Sequence, residues 1–104
     1  MEIVDIKRDF SEWPGGRVES DGKFSGERFR KQFLVKCLRN DQIVKVIFDD
    51  DYGYGSSFLE EAFGGLVRVE GFTAQFVLDH LVLDTSDNFM KFGIRRYITD
   101  AEGD

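Results

Sequence analysis

Short runs of apolar residues predict the strands of this chain. Residues 3–6 alternate between apolar and polar positions, residues 43–48 are almost all apolar and rich in β-branched side chains, and residues 81–83 form another short apolar run. A nearly continuous apolar run is typical of a strand buried on both faces of a sheet, so we expect 43–48 to be the central strand. Residues 17–20 are interpreted as a further strand, placed after the turn residues 13–16.

Apolar residues at helical spacing predict the helices. Ser25 is a suitable N-cap for a first helix that runs to Asn40, and a second helix is expected to begin at Ser56 and Ser57. Ser57 and Glu60 have the spacing of a capping box. The second helix also contains adjacent glycines at 64 and 65, which we expect to lie close to a neighbouring helix or strand because glycine otherwise weakens a helix.

Two more helices are predicted in the last third of the chain. Thr73 is placed to cap a short helix, and Thr85 or Ser86 is expected to begin the final one. The apolar side chains predicted to face inward from that final helix are Phe89, Met90, Ile94, Tyr97 and Ile98. Residues 101–104 are expected to be frayed.

The order of these elements predicts an α/β layer fold: strand, strand, helix, strand, helix, short helix, strand, helix. Such an order requires at least one parallel crossover. We expect a single domain spanning residues 1–104, with a small mixed sheet and helices packed on it, because 104 residues are enough for one core.

Charge and composition narrow the classes of function. Twenty acidic residues against 14 basic ones give a net charge of −6, which repels nucleic acid and anionic membranes. The basic residues of the first helix, Arg28, Arg30, Lys31 and Lys36, are interpreted as a solvated face. No run approaches the roughly 20 apolar residues that span a bilayer, and the start lacks a secretory signal, so a cytoplasmic location is expected. The one cysteine, Cys37, is interpreted as a core thiol.

Several segments resemble the STAS-like domains of unknown function. They read DFS at 9–11, PGGR at 14–17, DG at 21–22, FSGERF at 24–29 and, above all, YGYGSSFLEEAFGGL at 52–66. Together these segments extend over most of the chain. The longest one combines turn glycines, a serine pair and a helical stripe of apolar residues, a combination that is hard to match by chance.

The resemblance implies a regulatory role without catalysis. STAS domains proper include the bacterial anti-sigma-factor antagonists, which bind a serine kinase of the histidine-kinase-like ATPase type. In that family the first serine of an Asp-Ser-Ser-Gly-like turn is phosphorylated. By this resemblance Ser56 corresponds to the phosphorylated serine and Ser57 to the next residue, while Gly55 replaces the aspartate and Phe58 the glycine. The implied partner-binding residues are Gly53, Tyr54, Gly55, Ser56, Ser57 and Phe58, with no cofactor and no metal.

Elementary chemistry supports a switch at this turn. Glycines allow a tight turn, and the start of the following helix presents free N–H groups that favour an anion. A phosphate on Ser56 would add about −1.5 to −2 charges and repel a partner from an already acidic domain. The alternative is that Ser56 and Ser57 only cap the helix.

A second hypothesis is a small-ligand or phosphoryl-binding site in the loop from Asp49 to Ser57. Asp49, Asp50 and Asp51 follow the central strand, where open α/β sheets place ligands, and Arg17 is a candidate anion-binding residue. Solvated acids and an ordinary ion pair of Arg17 are the alternatives. No P-loop, dinucleotide fingerprint or Cys/His metal spacing is present, and His80 has no recognisable catalytic partner. Homo-oligomerisation stays open because sheet edges invite pairing.

Overall fold

A parallel three-stranded sheet forms the centre of the computed structural model, which describes residues 1–103. Its strands are β1 (Glu2–Asp5), β2 (Val44–Ile47) and β3 (Leu81–Asp84), in the order β1-β2-β3. Both pairs are parallel. The predicted central strand is therefore confirmed as β2, and the α/β fold class is confirmed with it. Asp104, the end of the segment expected to fray, lies outside the described residues.

Three longer helical segments lie between the strands, and a fourth follows β3. They are α1 (Gly26–Phe29, Arg30–Leu34 and Val35–Arg39), α2 (Ser56–Leu59, Glu60–Gly64 and Gly65–Arg68), α3 (Ala74–His80) and α4 (Asn88–Ala101). The middle parts of α1 and α2 are π-helical turns. Helix α1 connects β1 to β2, and helices α2 and α3 connect β2 to β3, so the chain makes two parallel crossovers. Within residues 1–103 no helix is long and apolar enough to cross a membrane.

The strand predicted at residues 17–20 is wrong, and the sheet is parallel rather than mixed. The backbone N–H groups of Arg17 and Val18 both donate to the carboxylate of Asp21, at 3.2 and 3.1 Å. A 3₁₀ turn, Glu19–Asp21, follows. The Asp21 carboxylate thus accepts hydrogen bonds from the N–H groups that, in a strand, would donate to a neighbouring strand. Aspartate side chains favour turns over strands for this reason.

The helices cover one face of the sheet. Val4, Val44, Val46 and Leu83 point toward them and are buried. The opposite face carries Ile3 and Val82, which flank Lys45 in register, and these two apolar side chains are exposed. The domain is therefore a two-layer structure, in contrast to the two-sided burial that the apolar run at 43–48 predicted.

Helix α4 begins later than predicted, and Phe89 in its first turn points outward. Asp87 is its N-cap and accepts from the Met90 N–H at 2.9 Å, whereas Thr85 and Ser86 bind elsewhere. Phe89 is 89% exposed, so its predicted inward position is wrong. Ile94 and Ile98 are buried as predicted.

The C-terminal end of α4 is attached to α3. Ala101 is buried, so the expectation that it frays is wrong. The Ala74 N–H at the start of α3 donates to the Glu102 carboxylate at 2.6 Å. This hydrogen bond joins two helix ends and explains why the chain stays ordered past residue 100.

Helices α1 and α2 approach each other closely at their glycines. A Cβ on Gly65 would lie 2.1 Å from Nη1 of Arg30, and a Cβ on Gly26 would lie 2.4 Å from the Phe58 carbonyl oxygen. The close approach expected at Gly64 and Gly65 is confirmed. Arg30 itself is 1% exposed, so its assignment to a solvated basic face is wrong.

His80 makes the stability of the fold dependent on pH. Its Nδ1 lies 2.7 Å from the Phe76 carbonyl oxygen and its Nε2 lies 2.7 Å from the Asp41 carboxylate. Only the imidazolium can donate to both acceptors, so the pKa of His80 is raised, chiefly by the Phe76 carbonyl and further by Asp41.

Because the pKa of His80 is higher in the folded state than in the unfolded state, protonation of His80 stabilises the fold. This stabilisation is complete below the unfolded pKa, about 6.5, and it is lost as the pH rises through the folded pKa. We expect the difference in unfolding free energy between wild type and His80→Gln to shrink from about pH 6 to about pH 8. Urea titrations at several pH values measure it. A difference independent of pH would contradict the expectation.

Candidate functional site

A groove of about 280 Å³ lies at the carboxyl edge of the sheet. The loop after β2, the first turn of α2 and one side of α4 form its walls. The lining residues are Asp49, Asp50, Tyr52, Gly53, Tyr54, Ser56, Leu59, Asp87, Phe89, Met90, Gly93 and Tyr97. This edge is where open α/β sheets bind their ligands, because the connections diverge there.

Asp50 fastens the loop after β2 to the connection before α4. Its carboxylate accepts from the Thr85 hydroxyl, from the Ser86 N–H at 3.0 Å and from the Ser86 hydroxyl at 2.8 Å. These hydrogen bonds, that of Thr85 first, lower the pKa of Asp50. The carboxylate is therefore ionised at neutral pH, and it holds both walls of the groove in place.

The neighbouring aspartates do not converge on one point. Asp49 accepts from the Asp51 N–H at 3.0 Å, and its second oxygen lies 3.9 Å from Nζ of Lys7. Asp50 binds the opposite wall. Within residues 1–103 no group of three or more His, Cys, Asp or Glu side chains is arranged to hold a metal ion. The aspartates thus cap the loop and the end of the strand, which was the alternative to a role in binding a ligand.

Two tyrosines stiffen the loop. The Tyr54 hydroxyl accepts from the Asp49 N–H at 2.9 Å, and its ring packs edge-on against Phe48 at 5.3 Å. Burial raises the pKa of Tyr54 to about 12. The Tyr52 hydroxyl donates to the Pro14 carbonyl at 2.7 Å. Because both rings are anchored and contact each other at 5.0 Å, the loop that presents Ser56 has a fixed shape.

Ser56 and Ser57 are both exposed at the start of α2, but only Ser56 lines the groove. Gly55 is the N-cap, and in the described part of the chain no side chain caps this helix end. The predicted capping box is wrong, because Glu60 instead binds Arg17 and Arg68. The Ser56 hydroxyl therefore does not cap the helix, which was the alternative to its role as a phosphorylation site.

The remaining predicted residues divide into exposed loop and buried core. Gly53 and Gly55 are exposed, and Tyr54 is half-buried. Phe58 is 1% exposed and packs against Phe29 and Tyr54. Its inclusion among the partner-binding residues is corrected: the ring supports the turn from beneath and cannot touch a partner.

Arg17 lies away from the groove. It forms ion pairs with Glu60 and, at 3.5 Å, with Glu61, and it is not among the groove's lining residues. An anion at Arg17 would have to compete with these two carboxylates. The structure therefore does not bring Arg17 together with Ser56.

The α4 wall of the groove was not predicted as part of the site. Asp87, Phe89, Met90 and Gly93 reach it because β3 lies beside β2, so that the carboxyl ends of both strands meet at one edge. A sequence signal for this proximity was the predicted parallel order of the strands. The predicted strand order located the edge of the sheet at which the groove lies, but it did not specify which side chains line the groove.

The groove has a negative and aromatic lining. Three aspartates, Asp49, Asp50 and Asp87, line it, whereas no lysine, arginine or histidine within residues 1–103 does. Like charges disfavour a phosphoryl ligand in this groove. Together with the position of Arg17, this argues against the phosphoryl-binding hypothesis.

Comparisons with known proteins identify the family. The family model described as a STAS-like domain of unknown function matches residues 25–88, from the cap of α1 to the start of α4. Searches of curated proteins and of solved structures gave no significant match. Since the matched segment exceeds half of the chain and contains α2 with its serine pair, the chain belongs to the STAS-like domains of unknown function.

Proposed function

We propose that this chain is a non-catalytic regulatory module that binds a protein partner at the groove, and that phosphorylation of Ser56 controls this binding. STAS-like domains are generally non-catalytic. The observation that carries the proposal is the position of Ser56: it is exposed, it is the first residue of α2, and it lines the groove.

A kinase can reach Ser56 without unfolding the domain. The residues that lead to it, Gly53 and Gly55, are exposed, and a Cβ on either glycine would have no atom within 4 Å. Open space on the N-terminal side of Ser56 lets the active site of a kinase approach the serine. Tyr54 between them is anchored, so the substrate segment is presented in one shape.

A phosphate on Ser56 would change the electrostatics of the whole groove. It adds about −1.5 to −2 charges beside three aspartates. A partner that binds the unmodified groove is then exposed to a much stronger negative field. Contacts that this partner makes through apolar or acidic residues are lost. The modification therefore acts as an off switch for such a partner.

The partner suggested by the resemblance to anti-sigma-factor antagonists is an ATPase of the histidine-kinase type, which would also be the kinase. Exposed aromatic side chains near the loop offer anchors for it. Phe89 lines the groove, and Trp13, next to the Pro14 that binds Tyr52, is 73% exposed. Large aromatic side chains are the commonest energetic anchors of protein interfaces.

The experiment captures the partner and tests the serine. Immobilised wild type, Ser56→Ala and Ser56→Asp are incubated with lysate of the source cell, the bound proteins are identified, Mg-ATP is then added, and the bait is weighed by mass spectrometry. We expect wild type to capture the ATPase before Mg-ATP is added, and then to gain one phosphate and release the ATPase. Ser56→Ala should gain no phosphate and keep the ATPase, and Ser56→Asp should bind the purified ATPase at least about tenfold more weakly.

Ser57 provides the matched control, since it is equally exposed but does not line the groove. Ser57→Ala and Ser57→Asp should be phosphorylated at residue 56 and bind like wild type. The switch is refuted when Ser56→Asp and Ser56→Ala both retain wild-type affinity for the ATPase.

A further inference from the structure

Helix α4 contains a glycine for which the packing of the domain gives no reason. Gly93 lies inside the helix, where glycine is less stable than alanine. Gly26 and Gly65 lie against the neighbouring helix, where a Cβ would clash, and a Cβ on Gly64 would lie 3.2 Å from the Tyr97 carbonyl oxygen. A Cβ on Gly93, in contrast, would have no atom of residues 1–103 within 4 Å. The fold therefore does not require glycine at this position.

Gly93 leaves a gap in the wall of the groove. Phe89 and Met90 precede it by four and three residues, Tyr97 follows it by four, and all of them line the groove. Residues at this spacing are neighbours on one side of a helix, so larger side chains surround the glycine. A side chain at position 93 would extend into open space beside the groove. The gap is therefore volume that the described part of the chain leaves unfilled.

The chemistry of the groove favours an apolar side chain in this gap. Leu59 and Met90 supply apolar surface. The three carboxylates of the groove each accept hydrogen bonds from the chain itself, and that of Asp49 also lies 3.9 Å from Nζ of Lys7. A lysine or arginine inserted among them would have to compete with these existing contacts. An apolar side chain needs no such exchange.

The size of the groove limits the occupant to one side chain. Its volume of about 280 Å³ is below the roughly 300–1,000 Å³ of pockets that enclose a whole small molecule. An extended segment of a protein can lie over the groove and insert a single residue. Such an inserted side chain is a common anchor of protein interfaces.

The charge around the groove selects the residues next to the anchor. Three aspartates line it, and within residues 1–103 no basic side chain does. The negative field attracts lysine or arginine at the edge of the groove and repels aspartate and glutamate. The complementary segment therefore carries basic residues beside its apolar anchor.

We propose that Gly93 keeps the groove open for one large apolar side chain of the partner, of the size of phenylalanine, in a segment with lysine or arginine next to it. This inference rests on the proposed function, since the partner that binds at the groove supplies the segment. A phosphate on Ser56 would lose its water when the apolar side chain fills the groove beside it. That loss outweighs the attraction of the phosphate to nearby cations, because an exposed ion pair contributes little.

Model peptides test the inference without the ATPase. With blocked termini, Gly-Lys-Phe-Lys-Gly carries the anchor and the basic neighbours, Gly-Lys-Ala-Lys-Gly lacks the anchor, Gly-Glu-Phe-Glu-Gly reverses the charge, and Gly-Lys-Arg-Lys-Gly replaces the anchor with a cation. Each is titrated to about 5 mM into the isotopically labelled chain, and amide chemical shifts are recorded. We expect the first peptide to shift the amides of Ser56 and Gly93, and the other three to bind at least about tenfold more weakly.

Gly93→Leu fills the gap with a side chain of the protein itself. It should lower the affinity for the Lys-Phe-Lys peptide at least about tenfold, while urea denaturation shows it to be at least as stable as wild type. Thr99→Leu is the matched control, because Thr99 is exposed on the same helix and does not line the groove. It should bind like wild type.

Three results would overturn the inference: no shifted amide at about 5 mM peptide, tighter binding of the Lys-Arg-Lys peptide, or wild-type affinity of Gly93→Leu for the Lys-Phe-Lys peptide. The outcomes also separate this inference from the proposed function. If the peptides bind as expected but the lysate yields no ATPase, the proposed partner is wrong and the role of Gly93 stands. If the ATPase is captured and released on phosphorylation but Gly93→Leu binds it like wild type, the switch stands and the role of Gly93 is refuted.

Discussion

Replacing Gly26 with alanine should lower the free energy of unfolding by about 3 kcal/mol. The new Cβ would lie 2.4 Å from the Phe58 carbonyl oxygen and 3.1 Å from the Ala62 nitrogen. Both are backbone atoms of α2, so no side chain can rotate away, and the two helices must separate. Alanine's better helix propensity, worth about 1 kcal/mol, is too small to offset this clash.

Gly93→Ala is the matched control. Gly93 lies inside α4, and a Cβ there would have no atom within 4 Å. Its replacement should raise the free energy of unfolding by about 0.5 to 1 kcal/mol. Urea denaturation followed by circular dichroism measures both variants. A Gly26→Ala variant as stable as wild type would show that α1 and α2 cross at a greater distance than the structure has them.

The parts of the fold that depend on local sequence could be predicted. The apolar run at 43–48 and the helical stripe after Ser25 carry their own periodicity, and Ser25 does cap α1 by accepting from the Arg28 N–H. The parallel order then followed from alternating strands and helices. These features need no knowledge of which distant residues meet.

The errors arise where a side chain competes for the backbone. Asp21 takes the N–H groups of a predicted strand, and Asp50 takes Thr85 and Ser86, the predicted caps of the last helix. An aspartate that caps its own loop and one that reaches a segment 35 residues away look alike in sequence. The error at Phe89 has a different cause: Phe89 lies about two and a half turns before Ile98, and therefore on the opposite side of the helix from that buried residue.

Only one wall of the candidate site could be predicted from the sequence. The loop from Asp49 to Ser57 is a local segment, and it was predicted from the acids and glycines at the end of a strand and from the family resemblance of residues 52–66. The wall from α4 depends on strand order and on the exact start of a helix. Arg30 illustrates the same limit, because its partners Glu61 and Glu70 lie 31 and 40 residues away.

Removing the buried guanidinium of Arg30 should be as damaging as the Gly26 clash. Its Nε donates to Glu70 at 3.0 Å, and its Nη1 donates to the backbone carbonyl and the carboxylate of Glu61, each at 2.7 Å. Arg30→Met fills similar space but removes the nearest donor of the buried Glu61 carboxylate, which keeps only longer contacts with Arg68 at 3.4 Å and Arg17 at 3.5 Å. The Glu61 carbonyl loses the Arg30 donor as well. We expect a loss of about 3 kcal/mol in the free energy of unfolding, the cost of breaking a buried ion pair from one side.

Two further variants separate this cost from the general effect of losing a cation. Lys31 pairs with Glu27 at 3.1 Å on the exposed side of the same helix, so Lys31→Met should cost at most about 0.5 kcal/mol. Adding Glu61→Gln to Arg30→Met should recover part of the loss, because the buried carboxylate that has lost its nearest donor is replaced by a neutral amide that still fits the site. If the double variant is destabilised by the sum of the two single losses, the pair is not coupled, and Arg30 then acts only by filling the space above Gly65.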